Sequence, residues 1–416
     1  MGSKPDRRDD RFNFWACFID AVGWSLGFSF FSPDTILPAF VRHLTPSRQA
    51  VAFIQVALNA GLYLPPLLVS HLIERFRFVR SYVLGVALLE RLPLLLMGPL
   101  AVWLWRAGRP GLLVTVTLIC IACHGFFMGL NFPAYTALVE KSVPTRQRGR
   151  MYGWGNGIGG LLGIGGAWLA GQWLAHLPFP GGYARCFGVG FWILTLSILP
   201  LGLVREPPNE QTARPHRWFA YLGQLPQVLR SDRHFAQYLG AMALQALGLM
   251  GVAFYTVYAL DTFQAPEKVA AQFTLMAMAT RIVANPLWGH AIDHWGNRWV
   301  LVGGTLCLVL TPAAALAAPS VSFYYAVFAL SALGSSAIGL ASYTWIMEVA
   351  PSERVPTYIS LGTTLLAPIK LAVPLFGGLL AEAAGYPAVF GLGLAASLAS
   401  LPLVARLHEP RHAPFE

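Results

Sequence analysis

Apolar runs of about twenty residues, separated by short polar turns, fill almost the whole of this 416-residue chain. That pattern leaves few folds open. A helix that crosses a bilayer needs about 20 predominantly apolar residues. Inside hydrocarbon every backbone N–H and C=O must be satisfied within the protein, so only helices or closed barrels span it. The runs are continuous rather than alternating in ten-residue segments, which predicts helices. Composition agrees: 56% of residues are hydrophobic and 12% charged, against about 25% charged in a soluble domain. Twelve spans are expected, at roughly 13–38, 49–72, 80–105, 111–138, 151–175, 186–204, 236–260, 269–288, 299–318, 321–347, 357–381 and 386–405.

The net charge of +10 invites a nucleic-acid reading, but its distribution points to the membrane. With the N-terminus placed in the cytoplasm, 20 of the 29 Lys and Arg fall in inward segments, six in outward segments and three inside spans. Cytoplasmic loops carry such an excess of Lys and Arg. A multi-pass protein of the plasma (inner) membrane is expected, both termini cytoplasmic, with the bilayer and a small molecule as partners and no nucleic acid. A monomer is expected. The first span lacks a following cleavage site and is expected to insert uncleaved.

The chain divides near its middle. Residues 1–204 form one six-span bundle and 236–416 a second. Residues 205–235 form a cytoplasmic linker that opens on Arg205-Glu206-Pro207-Pro208. Trp218, Phe219, Leu222, Leu225 and Leu229 recur there at amphipathic helical spacing, suited to a membrane surface. The halves echo one another. Val143-Pro144-Thr145-Arg146 follows span four and Ala350-Pro351-Ser352-Glu353-Arg354 follows span ten, each preceded by an acid, Glu140 and Glu348. Ser70 and Glu74 after span two answer Gly289 and Asp293 after span eight.

Gly289-His290-Ala291-Ile292-Asp293-His294-Trp295-Gly296-Asn297-Arg298 reads G-x-x-x-D-x-x-G-x-R between two apolar spans. With Pro144 to Arg150 it carries a resemblance to the major facilitator superfamily of secondary transporters over essentially the full chain. The N-terminal copy departs from the pattern at Ser70, Glu74 and Arg77. The resemblance implies an all-α integral membrane fold, with twelve transmembrane helices in two pseudo-symmetric six-helix bundles. It also implies that these clusters latch the cytoplasmic side. Glu74, Arg80, Glu140, Gly289, Asp293, Gly296, Arg298 and Glu348 are the gating candidates. Arg298 is expected to pair with Glu348. A carboxylate at Asp293 or Glu74 also suits a neighbouring helix N-terminus.

Ionisable groups inside spans are costly in lipid and usually face a cavity. Asp20, Asp34, Glu90, Arg91, His124, Asn131, Arg281, Asn285 and Lys370 are therefore the candidates for a substrate or proton pathway. A buried carboxylate can carry a proton, while Arg281 or Lys370 can hold an anion. Glu90 and Arg91, adjacent on a helix, are expected to point about 100° apart.

Other patterns read as packing. Gly155, Gly159, Gly163, Ala167 and Gly171 make a smooth ridge for close helix approach. Cys120-x-x-Cys123 is apolar filling. His290 and His294 stand i, i+4, a spacing that suits a metal on a helix, but the polar turn is expected to end the helix there, so no metal site is expected. No Walker A sequence is present, and neither an enzyme nor a cofactor is expected. The reading is a secondary transporter working by alternating access and driven by a proton gradient, with export of an amphipathic or drug-like compound favoured. Uptake or exchange of an organic anion at Arg281 and Lys370, and a non-transporting membrane receptor on the same scaffold, are the alternatives.

Overall fold

The computed structural model describes residues 7–66, 69, 73, 76–208, 233–349, 355–407 and 409. Fourteen α-helices run through these residues. They are α1 (Arg7–Phe28), α2 (Ile36–Leu44), α3 (Arg48–Tyr63), α4 (Arg80–Arg106), α5 (Pro110–Ser142), α6 (Thr145–His176) and α7 (Gly181–Ile198). They continue with α8 (Arg233–Gly248), α9 (Val252–Thr262), α10 (Lys268–Trp295), α11 (Asn297–Ala317), α12 (Tyr324–Val349), α13 (Val355–Ala384) and α14 (Tyr386–Ala405). No strand occurs among the described residues. Nine helical segments among them are long and apolar enough to cross a bilayer. The other three expected spans fall on α1, α3 and α10. The protein is an all-α multi-pass membrane protein.

Several boundaries differ from expectation, and two spans are interrupted. The first span, expected over 13–38, is instead a helix that starts at Arg7, ends at Phe28, and is followed by a turn and the short α2. Pro33 lies in that turn; proline lacks an N–H and disfavours helix in the residue before it. The span near 236–260 is α8 and α9 joined through a single 3₁₀ turn at Leu249–Gly251.

The chain separates into two compact units. One comprises 1–46, 57–216 and 266–275, and the other 47–56, 217–265 and 276–416. In the first, α4 packs on α5 and α7, and α1 packs on α6 and α7. Its core gathers Phe14, Cys17, Val83, Leu138, Met151 and Leu201. The ridge glycines Gly155 and Gly159 lie against Ala21 and Val22 of α1, where a side chain would clash. In the second unit α11 packs on α12 and α14, and α8 on α13 and α14. Its core centres on Phe235, Tyr238, Leu301, Trp345 and Ile346. Third and fourth helices of each repeat pair, and the sixth packs on the third and first, so the internal echo in the sequence is an echo in packing.

Most of the linker expected at 205–235 lies outside the described residues, as do Ser70 and Glu74.

Candidate functional site

Three ionisable side chains sit inside the first unit at almost no exposure: Asp20 at 6%, Glu90 at 1% and Arg91 at 2%. Each comes from an apolar helix, where it displaces a hydrocarbon side chain at a cost that only close partners offset. Asp20, on α1, accepts hydrogen bonds from Ser197 Oγ of α7 at 3.4 Å and from the Tyr135 hydroxyl of α5. Glu90, on α4, accepts from Asn131 Nδ2 at 3.3 Å. Arg91 donates through Nε to the Leu194 carbonyl and through Nη1 to the Ala87 carbonyl, both at 2.9 Å.

The expected divergence of Glu90 and Arg91 is corrected by the side chains. Arg91 curls back along its helix to Ala87, one turn earlier, and this brings Nη1 within 3.5 Å of Glu90 Oε2. A long side chain overrides the 100° between adjacent Cβ directions. His124, 2% exposed on α5, donates Nδ1–H to the Glu90 carbonyl at 2.8 Å. A backbone acceptor requires that nitrogen to carry the proton, which leaves Nε2 a bare acceptor in the neutral ring. Among the described residues, Glu90 Oε1, Asn131 Oδ1 and His124 Nε2 have no hydrogen-bond partner. Two carboxylates, one guanidinium and three spare acceptors make a cluster short of donors. His124 also lines a cavity of about 10 Å³ with Phe28, Phe31, Leu94, Met97 and Ile121.

Of the sequence-predicted pathway residues, Asp20, Glu90, Arg91, His124 and Asn131 thus belong to one buried neighbourhood. Asp34 does not: it occupies the half-buried turn before α2. Arg281, Asn285 and Lys370 lie in the second unit. Arg281 is exposed at the middle of α10; Asn285, one turn on, accepts from the Ser336 hydroxyl. Lys370 is half-buried on α13.

The gating candidates arrange themselves differently from expectation. Asn297, not Arg298, reaches Glu348, through Nδ2 at 2.8 Å. The Arg298 guanidinium instead lies over the Trp299 ring at 5.0 Å, while its backbone N–H donates to Glu409 Oε2 at 2.8 Å. The residue after Gly296 is buried inside the turn and its neighbour is not, so the shorter amide makes the contact. Gly296 has φ +87° and lies flat against the Glu409 carboxylate, leaving no room for a Cβ. Asp293 is exposed at the end of α10. In the first unit Arg80 donates its backbone N–H to Glu206 at 2.9 Å and its Nη1 to the Val204 carbonyl at 2.8 Å. Glu140 is near Arg148, 4.0 Å away.

Several participants escaped the sequence reading. Glu206 also accepts from the Val79 N–H at 2.8 Å and from Lys141 Nζ at 3.2 Å. It and Glu409 each sit before a proline just past the last helix of a repeat, and each caps a helix N-terminus, where a carboxylate meets free N–H groups and the positive end of the dipole. That repeated Glu-Pro was a signal in the sequence. Tyr135 and Ser197 offered none, since Tyr and Ser in an apolar helix are commonplace. Glu267, at the start of α10, accepts from Arg42 at 3.2 Å and also binds His43 and the Tyr183 hydroxyl.

Residues 239–416 match the family model described as the Major Facilitator Superfamily. Among curated proteins, the chain is similar to the uncharacterized protein Rv2209 of Mycobacterium tuberculosis, 24% identical over 306 residues. The match takes in 70% of this chain, and the chain spans 59% of the length of that relative. Among solved structures it superposes on the nucleoside transporter NupG with a TM-score of 0.66 at 12% identity, covering 95% of this chain and 97% of that one. A bacterial homologue of the iron transporter ferroportin gives 0.70 at 17% identity over 97% and 99% of the two chains. A D-xylose–proton symporter gives 0.66 at 15% over 97% and 99%.

Proposed function

We propose that the chain is a member of the major facilitator superfamily and acts as a proton-coupled membrane carrier that exports a small amphipathic molecule by alternating access. The reading rests on one observation: Asp20 and Glu90 are buried in the same unit, with the buried Arg91 guanidinium 3.5 Å from Glu90 and acting on Asp20 through its charge. With all three ionised the cluster carries one uncompensated negative charge in a low-dielectric interior. One bound proton neutralises it, and a site that alternates between these two states is what a proton-coupled carrier needs. The oxygen atoms without donors, Glu90 Oε1 and Asn131 Oδ1, offer that proton a hydrogen-bonded place. The aromatic and aliphatic side chains beside His124 suit an apolar cargo better than a heavily hydroxylated one, because each unpaired buried polar group costs about 1–3 kcal/mol. In this reading the chain is monomeric, sits in the inner membrane with both termini cytoplasmic, and has the two-bundle division at 204 and 236.

The test is flux into proteoliposomes under an imposed pH gradient. Gradient-driven movement of the cargo is expected for the wild type, and its loss in Asp20→Asn and Glu90→Gln, with exchange of pre-bound cargo retained. Full gradient-driven transport in both variants would remove the cluster from the coupling step. A second reading is favoured by Arg281. An exposed guanidinium in the middle of an apolar helix is costly against lipid and is expected to face water, where it would hold an organic anion. Competition by anionic rather than neutral amphiphiles, abolished in Arg281→Gln, would select that reading.

A further inference from the structure

We propose that His290 and His294 form a binding site for one divalent transition-metal ion of borderline softness, Zn²⁺, Ni²⁺ or Cu²⁺, on the surface of α10. The polar turn was expected to stop the helix ahead of this pair. The helix instead continues to Trp295, so positions i and i+4 fall on one face, a neighbouring-turn spacing of about 5–6 Å between Cβ atoms. The two imidazoles lie side by side with ring centroids 3.9 Å apart and planes at 35°. Both residues are exposed, so an ion reaches them without any opening of the fold.

A second observation points to a metal rather than to simple ring contact. His294 Nδ1 lies 2.9 Å from the His290 carbonyl oxygen. A carbonyl only accepts, so Nδ1 carries the proton and Nε2 keeps its lone pair. Metal-binding histidines almost always donate their other N–H in this way, which sets the tautomer and holds the ring in place. His294 is therefore preset as an Nε2 ligand, and a modest rotation of His290 brings a second nitrogen to the same ion. Imidazole pairs suit Zn²⁺, Cu²⁺ and Ni²⁺, whereas Mg²⁺ and Ca²⁺ prefer oxygen. Among the described residues no group of three His, Cys, Asp or Glu gathers around one point, so water completes the coordination. The bound ion clips the last turn of α10 immediately before Gly296.

The test uses the full chain purified in detergent with any polyhistidine tag removed. Calorimetric titration with Cu²⁺, Ni²⁺ and Zn²⁺ is expected to give one ion per chain, Cu²⁺ tightest, and no response to Mg²⁺. His290→Ala and His294→Ala should each weaken binding tenfold or more, while His176→Ala, an exposed histidine on another helix, should leave it unchanged. Saturating Zn²⁺ should raise the unfolding midpoint of the wild type and not that of the double variant. The metal-free elution volume and midpoint of the double variant, expected to match the wild type, show that it folds. Equal affinity and stoichiometry in the wild type and the folded double variant would overturn the proposal. So would loss of binding in His176→Ala, or saturation by Mg²⁺.

Discussion

The two repeats meet the same packing problem with different chemistry. In the first unit Gly23 of α1 lies directly against Ser197 of α7; in the second, Gly248 of α8 lies directly against Ser397 of α14. Three residues before each glycine comes a buried polar side chain. In the first it is Asp20, held by Ser197 and Tyr135 within the field of Arg91 and Glu90. In the second it is Gln245, which donates to Thr305 Oγ1 at 2.6 Å. One interior is ionisable and the other neutral, on equivalent helices. The scaffold therefore does not require charge at this depth. Gln245 pairs with Thr305 while its Oε1 is left without a partner among the described residues, so the second unit buries an amide where the first buries an acid.

The helix caps make the converse point. Glu206 covers the start of α4, taking the N–H groups of Val79 and Arg80. Glu409 covers the start of α11, taking that of Arg298. Here the acid is common to both repeats and only the surroundings differ. Lys141 completes the first cap. In the second a glycine at positive φ lets the carboxylate lie against the backbone, and Glu409 Oε1 has no partner among the described residues.

The comparison can be broken by substitutions, taken here from the largest expected effect. Arg91→Met leaves two buried carboxylates without their cation, and should destabilise by roughly 3–5 kcal/mol; in the second unit Gln245→Leu, at the position that answers Asp20, removes the donor to Thr305 and should cost about 1–3 kcal/mol. Denaturation midpoints in detergent rank the two, and equal losses would mean that the acid cluster is ordinary packing. Gly296→Ala should cost about 1–3 kcal/mol, because the added Cβ meets Glu409 and the backbone conformation is one that L residues avoid. Glu206→Ala should lower the midpoint more than Glu409→Ala, since it removes acceptors for three donors rather than one, each bond to a charged group contributing about 1.5–3 kcal/mol. The smallest effect belongs to Lys141→Met, about 1.5 kcal/mol, because the buried Glu206 carboxylate keeps its two backbone N–H donors. A larger loss would show that the lysine, and not the N–H groups, is what holds Glu206.

Much of the architecture was readable from the chain because it depends on local properties. Apolar run length sets which segments can cross a bilayer. The Asp20, Glu90, Arg91, His124 and Asn131 set was legible for the same reason: a polar residue inside an apolar run is conspicuous wherever its partner lies. The partners were not legible. Tyr135 reaches Asp20 from a helix more than a hundred residues away in sequence, and Glu409 reaches Gly296 from the far end of its repeat. Nothing local to α1 or to the loop distinguishes those partners from the other tyrosines and glutamates of the chain.

The turn at Gly289 to Arg298 divides the two kinds of information. Its spacing carried the resemblance to the major facilitator superfamily and located a polar connection between two membrane-spanning helices. Where the helix stops was decided by tertiary packing: Gly296, free to take φ +87° and pressed on by the Glu409 carboxylate, ends α10 after Trp295 rather than at Gly289. That one difference puts His290 and His294 on a single helical face, and hands Glu348 to Asn297 instead of Arg298. Hydrophobic length and charge bias are properties of a segment and survive without its neighbours. Hydrogen-bond partners and helix ends are settled only when distant elements compete for the same buried groups.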